Sequence, residues 1–221
     1  IAPEDHPILT PAREAFNKHP LTNPSCEEQL VPYLRDLDVK PSVSFDSLMQ
    51  LAIRRRSVRW FLQKKVPREI IDRAIELGAQ APTACNRQPF QFRILDDPEL
   101  VQKAISIPFG LAGYGHNVPC LVVIVGKQGN YFDERDRHLI YIDGSLAAMG
   151  FLFALEAQGV STCCVNWPEI RANNVKMGKL LKLPPDERPI MLIAVGYPDP
   201  EGMVARSTKK SISLLRHYNL K

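Results

Sequence analysis

Hydrophobic residues along the 221-residue chain follow two rhythms, punctuated by proline and glycine. In the first, apolar residues return every three or four positions, as on one helical face. Phe45, Leu48, Leu51 and Ala52 do so behind Ser44, and Ile70, Ile71, Ala74, Ile75 and Leu77 do so behind Pro67. Proline suits a helix start, where its missing N–H costs nothing. The same spacing predicts helices over 97–105, 134–158 and 168–182. The stretch 134–158 carries Leu139, Ile142, Leu146, Met149 and Phe153 over a wide apolar surface, so burial on most sides is expected, in a core or at a dimer interface.

In the second rhythm the runs are short. "QFRIL" (91–95) alternates like a strand, while "CLVVIVG" (120–126), "VSTCCVNW" (160–167) and "PIMLIAVGYP" (189–198) read as buried strands. "APTACNRQPF" (81–90) reads as a loop held open by Pro82 and Pro89, and "FGLAGYGHNVP" (109–119) as a glycine-rich connection. Helices and strands mix without regular βαβ alternation, which points to an α+β fold. Residues 1–43 are proline-rich and broken into pieces. Helical turns are expected in "TPAREAFNKH" (10–19) and in "SCEEQLVPYLRDLD" (25–38), where Ser25 and Glu28 are placed as a capping box. This segment reads as an arm lying on the main body or on a partner subunit, with the folded domain over 44–221.

Composition narrows the classes. Forty-five per cent apolar residues and this length suit one soluble domain. No run approaches the roughly 20 apolar residues of a membrane span, so no membrane association is expected. The start lacks a basic segment followed by an apolar core, so no secretory signal is expected. Without an initiator Met, the chain is expected to begin inside a longer gene product. Five cysteines with no CxxC pair point to free thiols in a reducing, cytoplasmic setting, and no zinc site is expected. Cys163 and Cys164, inside an apolar strand, are expected to be buried and inert. Five scattered histidines form no metal pair, and His116 and His138 read as surface or loop residues. A net charge of +4 is small for a nucleic-acid module.

Basic residues gather at 54–68 and 205–216. The first cluster opens with "RRRSVRWF" (54–61), which has four readings. It can be a solvated helix C-terminus, where cations complement the dipole. It can be a nucleic-acid patch interleaved with Trp60 and Phe61, or a membrane-surface patch, although the apolar face before it is better explained by a core. It can also be a socket for one phosphate, with Ser57 adding a neutral donor between guanidinium forks. Asn86, Arg87 and Gln88 are either a polar turn or a group of amides able to read the donor–acceptor edge of a heterocycle. No Walker A loop, no GxGxxG after a strand and no nucleophile elbow occurs. An enzyme built on this chain would depend on a cofactor for its chemistry.

Five segments, in order over 44–221, resemble the nitroreductase family of FMN flavoproteins. "RRRSVRWF" is similar to the family's opening RRSxRxF, and "APTACNRQPF" to its APSxxNxQPW loop. "QGVSTCCVNW" is similar to its GLGTCW strand, "IAVGYPDPE" to its xxGYP strand end, and "STKKSISLLRHYN" to its closing basic segment. Ser161 stands where the family has glycine, and Phe90 where it has tryptophan. The resemblance implies a three-layer α+β sandwich, its mostly antiparallel sheet flanked by helices, in an intertwined homodimer with tightly bound FMN at the interface. It implies that Arg55, Arg56, Ser57 and Arg59 contact the phosphate and ribityl chain, with Lys209, joined by Arg206 or Lys210, as the second basic contact. Pro82, Thr83, Ala84 and Asn86 would meet the ring from the other subunit, with Gln88 near it. Cys163, Cys164 and Val165 would run beside the isoalloxazine, a backbone N–H reaching N5. Arg54 is then the solvated arginine, and Trp60 and Phe61 pack the socket. No side chain is expected to be catalytic and no metal is expected. NAD(P)H would donate hydride to flavin N5, and an oxidised small molecule such as a nitroaromatic or quinone would then accept it. The alternatives are a flavin sensor or store without turnover, a flavin-destroying or dehalogenating member of the family, or a nucleic-acid-binding module.

Overall fold

The computed structural model describes residues 32 and 34–219. The chain divides into two units, Ile1–Val43 and Ser44–Lys221. In the first unit the described residues form neither helix nor strand. The helical turns expected over 10–19, and most of those over 25–38, lie outside the described residues. The described end of the latter, 34–38, is not helical.

The second unit begins with α1 (Phe45–Arg54), capped by the Ser44 side chain, which accepts the Ser47 N–H. Then come α2 (Arg68–Gly78), β1 (Phe90–Leu95), α3 (Pro98–Ile105), β2 (Cys120–Lys127), α4 (Leu139–Ala157), β3 (Ser161–Asn166), α5 (Arg171–Leu181), β4 (Glu187–Gly196) and a short α6 (Ile212–Leu215). Pro67 caps α2, and Asp97 caps α3 by accepting the Leu100 N–H. Each predicted helix and strand of 44–198 is present, with ends moved by a few residues. The stretch 134–158 differs most: its first residues form a separate 3-10 turn, and α4 starts at Leu139.

The sheet runs β1-β2-β4-β3 with every pair antiparallel. Phe90 faces Gly126, Cys120 faces Val195, and Ser161 faces Gly196. Alternate residues of the sheet enter different cores. Leu121, Val123, Val125, Leu192 and Ala194 pack with Val101, Ala104, Leu111 and Met177 on the side of α3 and α5. Val122, Ile124, Ile193 and Val195 pack with Ile71, Ala74, Phe151 and Leu155 on the side of α2 and α4. The result is a three-layer α+β sandwich. It explains why β2 is apolar throughout, since a strand covered on both faces loses its alternation. Helices α2 and α4 approach closely at Gly78, where a Cβ would lie 2.9 Å from the Ala147 carbonyl oxygen.

Two apolar faces are left uncovered. On α1 no residue is buried, and Phe45 is 74% exposed, with Leu48, Met49 and Ile53 also open. A core was expected to absorb this face; among the described residues α1 contacts α4 but buries none of its own side chains. On α4 itself, Ile142, Leu146 and Met149 form an exposed stripe. The stretch Glu134–Ala157 is long and apolar enough to cross a membrane, yet half of its most apolar 18-residue window is buried inside the fold.

Candidate functional site

The predicted site residues fall into three places. The first is the β3 edge of the sheet. After α1 the chain turns extended, and Ser57 forms a parallel bridge with Thr162, the Val58 N–H donating to the Thr162 carbonyl at 3.0 Å. This lays the arginine segment along β3, with Arg55 near enough to Cys164 to act on its thiol. Arg54 was expected to be solvated; it instead pairs with Glu156 at 3.3 Å, although its side chain stays largely exposed. Glu156 is buried and also accepts the Ser161 hydroxyl at 3.3 Å, so the end of α1 is tied to the end of α4. Arg56 donates to the Arg55 carbonyl at 3.0 Å. The Arg55 Nε is buried and has no hydrogen-bond partner among the described residues, as is also true of Arg93 Nε. A buried donor left unpaired is costly, which makes Arg55 a candidate to bind an acceptor from outside.

The two cysteines of β3 diverge. Cys163 is buried as expected, with the Tyr114 hydroxyl 3.6 Å from its Sγ. Cys164 is exposed, contrary to expectation, because β3 is an edge strand and successive side chains point to opposite faces. Its thiol is nevertheless pushed up to about 11, mainly by desolvation and then by Cys163, with Arg55 opposing. The Arg59 guanidinium lies over the Tyr114 ring, 5.8 Å from its centroid. Tyr114 itself is held well above its ordinary range by burial and by Cys163. Phe61 is buried in the core, as expected, whereas Trp60 remains partly exposed, its edge toward His116.

Asn117 was not singled out in the sequence. Its Oδ1 accepts the Phe61 N–H at 2.8 Å, and its Nδ2 donates to the Arg59 carbonyl at 2.9 Å. It clamps the arginine segment from a loop more than 50 residues away, and no local pattern marks it.

The second place is the loop before β1. Pro82, Thr83, Ala84, Asn86 and Gln88 cluster there, all at least partly accessible. Cys85, Asn86 and Gln88 have φ near +50°. Asparagine tolerates that conformation, but cysteine and glutamine do so at a cost on the order of 1–3 kcal/mol each. Local bonds hold the strain: the Gln88 N–H donates to Thr83 Oγ1 at 3.1 Å, and Gln88 Nε2 to Asn86 Oδ1 at 3.2 Å. Arg87 and Asn130 exchange side-chain to carbonyl bonds of 2.6 and 2.7 Å. The result is a rigid ridge of amides. The third place is the exposed segment after β4, which carries Arg206 and Lys209. Neither side chain makes an ion pair or hydrogen bond with Arg55–Arg59 among the described residues.

The first two places lie at opposite edges of the sheet. With β2 and β4 between β1 and β3, three strand spacings separate them, about 14 Å. One chain does not bring the guanidinium socket and the amide ridge together. A polar cleft of about 680 Å³ between α5 and the start of β4, lined by Arg171, Lys179, Lys182 and Arg188, shares no residue with either.

The nitroreductase family model matches residues 52–109 and 106–197, most of the described fold. Curated relatives include iodotyrosine deiodinases; that of Haliscomenobacter hydrossis is 27% identical over 183 residues, covering 71% of this chain and 81% of its own. A protein of Thermus thermophilus named NADH dehydrogenase is 25% identical over 185 residues, 68% of this chain and 86% of that one. Among solved structures, an FMN-dependent nitroreductase of Clostridium difficile R20291 superposes with a TM-score of 0.67 at 18% identity, covering 78% of this chain and 99% of that one.

Proposed function

Because the chain belongs to the nitroreductase family, we propose that it is an FMN-dependent oxidoreductase that moves hydride from NAD(P)H to an oxidised small molecule. The observation that carries this reading is the β3 edge. There the Ser57–Thr162 bridge lays the arginine segment along β3, and Arg55, whose buried Nε has no partner among the described residues, lies near enough to the exposed Cys164 to act on its thiol. Forked guanidinium donors with a neutral hydroxyl suit a phosphate dianion, and an exposed edge strand beside them suits a flat ring. These residues fit FMN.

Bound there, FMN supplies the hydride chemistry, accepting two electrons and returning them to a second substrate. The chain's residues hold and tune it. Arg55, Arg56, Ser57 and Arg59 take the phosphate end, with Lys209 and Arg206 of the closing segment completing the socket. Backbone of Cys163–Val165 lines one side of the ring. Positive charge close by favours a reduced, anionic ring over an oxidised one. The 82–88 ridge reads the polar edge, and its distance across the sheet supports a role in the site of a second copy. The exposed faces of α1 and α4 support that homodimer, since apolar stripes of this kind mark association surfaces. Free cysteines favour a reducing, cytoplasmic setting.

A second reading concerns the acceptor. The names of the deiodinase relatives favour a halogenated phenol, with the same half-reaction at the flavin. The experiment is to load the protein with FMN, reduce it anaerobically, and offer nitroaromatics, quinones and iodotyrosine in turn. Reoxidation by iodotyrosine with iodide release selects the second reading. Reoxidation by nitroaromatics or quinones alone selects the first. Failure to retain FMN contradicts both.

A further inference from the structure

Asp143 sits in the second turn of α4, the most apolar helix of the fold, and is 3% exposed. A carboxylate so placed is costly unless hydrogen bonds satisfy it. Its Oδ2 accepts the Tyr131 hydroxyl at 2.6 Å and the Ala84 backbone N–H at 3.1 Å. Neither donor belongs to α4. Ala84 opens the strained part of the 82–88 ridge, and Tyr131 lies in the segment that follows β2.

The two donors are themselves joined. Arg87 of the ridge lies over the Tyr131 ring, 5.6 Å from its centroid, and donates to the carbonyl of Asn130 next door. Burial and the Asp143 carboxylate hold the Tyr131 phenol well above its ordinary range, so it stays a donor. Three left-handed residues within 85–88 persist only where surroundings over-determine the backbone. The local bonds fix the shape of the ridge; the Asp143 bonds fix its place on the fold.

We propose that Asp143 is the positioning residue of the 82–88 ridge. Through the Ala84 N–H and the Tyr131 hydroxyl it sets where Thr83, Asn86 and Gln88 present their polar groups to the flavin ring. It touches neither cofactor nor substrate. The inference rests on the FMN reading above.

The test measures FMN affinity by quenching of free FMN fluorescence, together with the visible spectrum of the bound flavin and the melting temperature of the apoprotein. It compares wild type with D143A, D143N and Y131F. D143A is expected to raise the Kd for FMN at least tenfold and to shift the visible bands of the flavin that still binds. D143N keeps an acceptor oxygen in place and is expected to recover most of both. Y131F, which removes one donor and leaves the Ala84 bond, is expected to fall between. A D143A protein with wild-type Kd and spectrum overturns the proposal, even if its melting temperature falls, because a merely structural role would move only the melting temperature. Should D143A fail to fold, a Y131F protein with unchanged Kd and spectrum overturns it. Wild-type protein that takes up no FMN overturns the FMN reading itself, and this inference with it.

Discussion

Arg54 and Arg55 are adjacent, identical in chemistry, and opposite in situation. Arg54 reaches a carboxylate of its own chain, Glu156; the Nε of Arg55 is buried with no partner among the described residues. In the proposed reading Arg54 is the structural cation and Arg55 the one that meets the phosphate. Arg55→Ala should therefore weaken FMN binding by about 10- to 150-fold, the equivalent of one charged hydrogen bond of ~1.5–3 kcal/mol. Ser57→Ala should weaken it less, as a neutral bond. Isothermal titration with FMN checks both, and unchanged affinity in both would remove the phosphate socket. A second residue-scale prediction concerns pH. Arg68 clasps Asp96 through Nε and Nη2 at 2.9 and 3.0 Å, and that hydrogen bonding holds the Asp96 carboxyl below its ordinary range. A carboxylate depressed in the folded state stabilises above its unfolded pKa, about 4, and loses that contribution as pH falls through its folded value. Melting curves of wild type and Asp96→Asn should differ at neutral pH and converge in acid. A gap that persists at low pH would contradict the pair's role.

At the scale of elements, the uncovered faces of α1 and α4 make the sharpest statement. Ile142, Leu146 and Met149 line one stripe of α4, beside the open face of α1. Leu146→Arg places a charge in that stripe without touching the sheet-facing side. Sedimentation should show wild type as a dimer and the variant as a monomer. The monomer should also bind FMN poorly, since the socket and the ridge occupy opposite edges of one sheet; a monomer with wild-type FMN affinity would contradict the two-chain site. These elements also show how far the sequence could be read. Spacing located the helices and strands of 44–198, because periodicity records which face of an element meets a core. It could not say what covers a face, so α1 was expected against a core that one chain does not provide. Nor could it separate Cys163 from Cys164, whose difference comes from β3 lying at an edge. Asn117 and Asp143 act on partners 56 and 59 residues away. Nothing local to either residue announces such a contact, although an acid inside an apolar helix was visible.

The described domain is a four-stranded sheet with the arginine segment at one edge, the 82–88 ridge at the other, and exposed apolar faces on α1 and α4; in the proposed reading a second copy joins the two edges. Five short motifs identified the family because their order matches a fold whose function depends on bringing distant segments together. The resemblance implied that the loop meets the ring from the other subunit, and the strand order, with β1 and β3 at opposite edges, is consistent with that. The central claim is that this architecture holds FMN and lets NAD(P)H reduce it. The most direct measurement is an anaerobic titration of the FMN-reconstituted protein with NADH and with NADPH, followed in the visible flavin bands. Stoichiometric bleaching by one of them, reversed when an oxidised acceptor is added, is the predicted result. Protein that retains no flavin, or retains it unbleached by either nucleotide, would contradict the claim.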